Sequence, residues 1–212
     1  MKFRRLKADE VEARVATVKE EKGGLSLLLY KDARVDQNIL DETVGAENWE
    51  RKHEIIGGNL YCTVSIWCAD KNAWVSKQDV GTESKTEAEK GQASDSFKRA
   101  CFNWGIGREL YTAPFIWINM RNGVDKYTKF NVNAIGYDED GNIDKLIISR
   151  KDNGEIVYRY NTVSRGAMIK AISKKYPEGS KNLAALLDTF HVFDLSEASD
   201  EQLKAAYNKA IK

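Results

Sequence analysis

Residues 79–107 read DVGTESKTEAEKGQASDSFKRACFNWGIG, a strand end followed by a polar run and then a helix. Phe97, Ala100, Cys101 and Trp104 recur at the i, i+3, i+4, i+7 spacing, so a helix over about 86–104 buries one face. Lys98 and Arg99 fall outside that stripe and turn toward solvent or a ligand. A cationic ridge held on a rigid helix suits a polyanion. Taken alone, the same ridge is an ordinary solvated face, with Asp95 pairing Arg99 at i, i+4 for about 0.3–0.5 kcal/mol.

Upstream of this helix, three strands are predicted at 49–56, 59–68 and 74–82. The middle one alternates, with Cys62, Val64, Ile66 and Cys68 on one face and Tyr61, Thr63, Ser65 and Trp67 on the other. Turns at Gly57-Gly58 and Lys71-Asn72 join the three into a meander, and the helix packs across it. The unit is therefore β-β-β-α. A helix over 35–44 is closed by Gly45, and the apolar run 25–30 is a buried strand. Residues 1–24 mix charges and end in Gly23-Gly24, which predicts a first helix and then a loop.

Beyond Pro114 the pattern returns to strands. Asp140-Gly141 and Asn153-Gly154 mark hairpin turns between 128–137, 143–150 and 155–160, a second small meander. Helices follow near Ser164 and Ser180, and a last one follows Ser199, whose Gln202 completes a capping box. Leu203, Tyr207 and Ile211 give that last helix a thin apolar stripe, suited to weak docking or to a neighbouring subunit. The predicted class is α+β: a core with its N-terminal helix over 1–112, a hairpin extension over 113–163 and a helical segment over 164–212.

The totals bound the chemistry. With 212 residues and 42% hydrophobic content the chain supports one sizeable core plus an appendage. Lys and Arg number 33 against 32 Asp and Glu, so a net charge of +1 gives no global attraction to nucleic acid, and any such site is a local concentration of charge. Between Lys145 and Lys181 basic residues outnumber acidic ones, whereas the final segment leans acidic. Cys62, Cys68 and Cys101 form neither a disulfide framework nor a zinc ribbon, which fits a reducing compartment. Residues 1–24 are too charged for a signal peptide and no apolar run is long enough to span a bilayer, so a soluble, cytoplasmic protein is expected.

Four segments, taken in order, carry a resemblance: LLYKDAR at 28–34, ILDETVGAENW at 39–49, GGNLYCTVSIW at 57–67, and DVG at 79–81 followed by the SDSFKRA helix. Together they resemble the Rad-fifty-two superfamily of single-strand annealing proteins, particularly its bacteriophage and prophage members, over roughly 25–111. The resemblance implies a β-β-β-α core, ATP-independent binding and annealing of single-stranded DNA in recombination and repair, and a homo-oligomeric ring or filament. A single-strand-binding or recombination protein is a candidate partner. No cofactor, metal or catalytic residue is implied.

By the same resemblance Lys98 and Arg99 match the family's groove-lining basic pair. Lys31 and Arg34 fall where the family directs chain into its groove, or form a charged turn; Lys71 matches a basic position of an outer DNA site, or is a solubilising turn lysine. Arg108, after the GIG turn, reaches phosphate or caps the helix end. Two family cations are missing, for eukaryotic members carry an arginine at Phe102 and another upstream of the first strand, near Glu20 here. Phe102 is then a candidate for base stacking or for a subunit contact. Tyr30, Tyr61, Trp67 and Trp74 are the other stacking candidates, with the core as their ordinary place.

Two other classes compete. Asp70 or Asp79 with Glu83-Ser84-Lys85 mimics the acidic, ExK pattern by which some nucleases hold Mg²⁺, although it sits at a strand-to-helix junction. A protein that docks other proteins through the Arg150-Lys151 hairpin and the acidic tail would ignore DNA at any salt concentration. No GxxxxGK[ST] loop is present, which argues against ATP-driven strand exchange.

Overall fold

A computed structural model describes residues 1–82 and 88–211. The fold is α+β, with three three-stranded sheets and five helices among the described residues. The chain forms two compact units, one of residues 1–135 with 146–159 and one of 136–145 with 160–212.

In the first unit, β1 (Glu12–Lys19), β2 (Gly24–Tyr30) and β6 (Ile116–Asn119) form one antiparallel sheet in the order β1-β2-β6. The N-terminal helix expected from the charge mixture is thus a strand. Its register slips between Val15 and Thr17, and this bulge moves the half-buried position from Val15 to Val18, which breaks the alternation that marks a strand. Strand β6 is only four residues long, too short to show a period. Helix α1 (Ala33–Val44) starts on Asp32, whose carboxylate accepts from the Arg34 N–H, and stops at Gly45.

The second sheet is the expected meander, β3 (Trp49–Ile56), β4 (Asn59–Cys68) and β5 (Ala73–Val80). Helix α2 (Ala88–Trp104) packs against β4 and β5. Phe97, Ala100 and Cys101 lie fully buried against Cys62, Val64 and Ile66, and the Trp104 indole donates to the Val64 carbonyl at 3.0 Å. Trp49 stacks on Phe97 with centroids 6.1 Å apart. Truncating such a buried aromatic costs about 3–5 kcal/mol. Gly81 lets β5 approach the helix, because a Cβ there would run into the Gln92 carbonyl and the Ser96 amide.

Strands β7 (Phe130–Tyr137), β8 (Ile143–Arg150) and β9 (Ile156–Asn161) form the third sheet, with turns at Gly141 and Gly154 as predicted. In the second unit, α3 (Arg165–Lys175), α4 (Lys181–Phe190) and α5 (Asp200–Ala210) start on Ser164, Ser180 and Ser199, and Ser199 and Gln202 form the capping box. Their core gathers Met168, Ile172, Leu195, Leu203 and Ala206. The last helix therefore docks on α3 within its own chain, through Leu203, Ala206 and Ala210, and Ile211 stays exposed.

Candidate nucleic-acid interface

Helix α2, β2 and the segment after Gly107 enclose a groove of about 790 Å³ in the first unit. Lys98, Arg99 and Phe102 line it from the helix, Leu28, Tyr30 and Lys31 from β2 and its end, and Leu110 and Tyr111 from the far side. The spacing of α2 sets this up. Burial of Phe97, Ala100 and Cys101 on the sheet leaves Lys98, Arg99 and Phe102 on the groove side of the helix.

The cations are not equivalent. Arg99 is about half exposed and its Nε donates to Asp79 Oδ1 at 3.3 Å. Asp95, the partner expected one turn away, instead accepts from the Thr82 amide at 2.9 Å and hydroxyl at 3.0 Å, and so ties the strand end to the helix. Lys98 is half-buried, and its charge adds to the Arg34 hydrogen bonds that lower the Asp32 carboxyl.

Lys31 lines the groove, but not as an open charge. Its ammonium is 6% exposed and donates to both oxygens of Asp36, which is fully buried. Burial pushes the Asp36 carboxyl up to about 6, against the pull of Lys31. The pair ties the end of β2 to the first turns of α1.

Arg108 takes the capping alternative. Its guanidinium donates to the carbonyls of Phe102 at 2.8 Å and Asn103 at 2.9 Å, at the carboxyl end of α2, and lies over the Phe102 ring at 5.7 Å. Arg34 is well exposed on the first turn of α1 and pairs with Asp32 at 2.8 Å. Lys71 is exposed in the turn between β4 and β5. None of these three lines the groove.

The aromatic candidates divide between two places. Tyr30 lines the groove, its hydroxyl donating to Glu12 at 2.8 Å, and burial, with that bond, raises it to about 12. Phe102 lies against Tyr111, centroids 4.7 Å apart, and Tyr111 is 77% exposed. Trp67 and Trp74 are cross-strand partners meeting edge to face at 5.7 Å. They share their face with the Ser65–Ser76 and Thr63–Gln78 pairs, opposite the α2-facing Cys62, Val64 and Ile66, and Tyr61 belongs to the same outer row. Those three rings lie on the sheet face opposite α2, and none of them lines the groove.

Four groove residues escaped sequence reasoning: Arg14, Asp79 as the partner of Arg99, Asn103 and Tyr111. Arg14 stands on β1 opposite Leu28, with its guanidinium 6.0 Å from the Tyr30 ring. It supplies a cation upstream of β2, where the resemblance implied one and found Glu20. Alternation of Ala13 and Val15 was the signal for it. Glu83-Ser84-Lys85 lies outside the described residues, while Asp79 is engaged by Arg99 and Asn103. Among the described residues no group of three or more His, Cys, Asp or Glu is placed to hold a metal ion, and no helix is long and apolar enough to cross a membrane. In the basic hairpin Arg150 is held by Asp152 at 2.6 Å.

No protein-family model matches the chain. It is similar to the single-stranded DNA-binding protein DdrA of Deinococcus radiodurans, at 33% identity over 112 residues, which is 52% of this chain and 52% of that protein. It is also similar to the DdrA protein of the same description from Deinococcus deserti, at 30% identity over 113 residues, 52% of this chain and 55% of that one. The chain thus spans about half the length of the curated relatives it matches.

Proposed function

We propose that the groove binds single-stranded DNA and that the chain anneals complementary strands without ATP, as a homo-oligomer of the phage recombination type. The observation that carries this reading is the convergence of Arg14, Lys98 and Arg99 with Tyr30, Phe102 and Tyr111 on one open groove of about 790 Å³. Unpaired DNA needs cations along its phosphates and rings on which bases rest, and each stacked base is worth about 1–3 kcal/mol. The relatives named as single-stranded DNA-binding proteins support the DNA-binding part of this reading.

In this mechanism Lys98 and Arg99 neutralise phosphate from a helix whose position is set by Phe97 and Cys101. Asp79 is the internal stand-in: its carboxylate occupies Arg99 until phosphate oxygens replace it. Tyr30, Phe102 and Tyr111 hold bases by their faces, which every base possesses, so binding has little sequence preference. Pairing between the strands then supplies specificity, while the protein supplies charge neutralisation and extension. Side-by-side copies with heterologous contacts join their ridges into one track, closed as a ring or open as a filament.

A fluorescence annealing assay with complementary oligonucleotides, without ATP, tests this reading. Native protein accelerates annealing, and Lys98→Ala/Arg99→Ala, folded and assembled, does not. Equal annealing by both removes these residues from the site.

A further inference from the structure

The groove does not end at Tyr30. On the β1-β2-β6 sheet, Leu25, Leu27 and Leu29 point into the core, so Leu28 and Tyr30 share the opposite face. Register carries that face onward. Arg14 stands opposite Leu28, and Thr17 opposite Ser26, which in turn stands opposite Trp117. Leu28, 48% exposed, lines the groove, and Ser26, the next residue on that face, lines an opening beside β6, so the two openings adjoin along β2.

At the far end Phe115 and Trp117 stack with centroids 6.2 Å apart and planes 22° from parallel, and Phe115 is 77% exposed. The Trp117 ring rests on Gly24, where any Cβ would collide with it, so the indole is braced from below. A pocket of about 450 Å³ opens here, lined by these two rings with Thr17, Lys19, Lys22 and Ser26. Both lysines are exposed, and no carboxylate lines the pocket, although Glu20 and Glu21 occupy the same turn. Two stacked rings, one of them braced, beside two ammonium groups are complementary to a base and its flanking phosphates.

We propose that a single strand of DNA lying in the groove continues across this sheet face, with a base seated on Phe115 and Trp117 and its phosphates facing Lys19 and Lys22. The inference rests on the groove reading and extends it. The occupant is DNA by charge complementarity and by continuity with the groove. A second copy of the chain is the rival occupant.

The test measures fluorescence anisotropy of labelled unpaired oligonucleotides from about 5 to about 20 nucleotides, with native protein, Phe115→Ala and Lys19→Ala/Lys22→Ala. All three side chains are exposed, and none of them makes the Gly24 contact that braces Trp117. Phe115→Ala is expected to bind the shortest oligonucleotides like native protein and the longest about tenfold more weakly. The lysine variant is expected to flatten the salt dependence for long oligonucleotides alone, by about 0.7 per lost phosphate contact. Equal affinity of native and variant proteins at every length overturns the proposal. So does a change in particle mass by light scattering at unchanged affinity, which would make the face a contact between copies. If native protein binds neither length, the groove reading itself fails, a different result from losing only the long-oligonucleotide gain.

Discussion

Arg99 is bound to Asp79 at 3.3 Å, on the neighbouring strand β5, and not to Asp95 on its own helix. A pair at this exposure contributes little to stability, about 0–1 kcal/mol, and is easily exchanged for a stronger anion. The carboxylate also repels phosphate. Asp79→Asn is therefore expected to tighten binding of unpaired DNA by about 2- to 5-fold at low salt, and Arg99→Ala to abolish that gain. Anisotropy titrations of the single and double variants check it. Weaker binding by Asp79→Asn would mean that the carboxylate positions Arg99 more than it competes with DNA.

Tyr30 separates ring from hydroxyl. Its hydroxyl is engaged by Glu12, so only the face is offered to a base. Tyr30→Phe is expected to bind DNA like native protein, and Tyr30→Ala to lose about 1–3 kcal/mol. Equal loss in both variants would assign the effect to the Glu12 bond.

The buried Lys31–Asp36 pair predicts a non-additive pattern of stability. Lys31→Met leaves a buried carboxylate and is expected to cost about 3–5 kcal/mol, whereas Lys31→Met/Asp36→Leu is expected to be near neutral. Urea unfolding of the two variants measures the difference. Additive losses would show that each residue acts through its own packing.

The same pair sets a pH dependence. Asp36 titrates near 6 in the folded protein, above the ordinary carboxylate value, so between the two the folded state holds a proton that the unfolded chain has released. The sign follows: this contribution is fully present below the ordinary carboxylate range and is lost as pH rises through about 6. Glu10 and Asp32, lowered chiefly by hydrogen bonds from Arg4 and Arg34, act oppositely and lose their contribution as pH falls below the ordinary range. Asp36→Asn is expected to shrink the stability difference between about pH 5 and pH 7. Denaturation midpoints at both values report it, and an unchanged difference contradicts the assignment.

Gly81 tests the seating of α2. Gly81→Ala drives a methyl group into the Gln92 carbonyl and the Ser96 amide, and is expected to cost about 1–3 kcal/mol and to weaken DNA binding by shifting the ridge. Thermal unfolding and anisotropy together check this. Lost affinity with unchanged stability would place Gly81 in direct DNA contact.

Much of this arrangement was legible in the sequence because period and turn chemistry agreed. The β3-β4-β5 meander, α2 and the serine-capped helices follow from alternation, from the 3.6 spacing and from Ser164, Ser180 and Ser199. Lys98, Arg99, Tyr30 and Phe102 meet in the groove because all four flank residues whose burial fixes their direction. The β1 bulge hid a strand, and with it Arg14. A lysine after a strand reads as exposed, and only the fold brings Asp36 against Lys31. The Asp79–Arg99 and Phe102–Tyr111 contacts depend on how strand, helix and loop are packed, which no local pattern reports.

The most direct measurement is the affinity of the purified protein for a labelled unpaired oligonucleotide across a salt series, beside that of Lys98→Ala/Arg99→Ala. Tight binding at low salt that falls steeply as salt rises is expected, with a variant that binds more weakly and has a slope shallower by about 1.4. A folded native protein that ignores the oligonucleotide at low ionic strength, or a folded variant with unaltered affinity and slope, would contradict it.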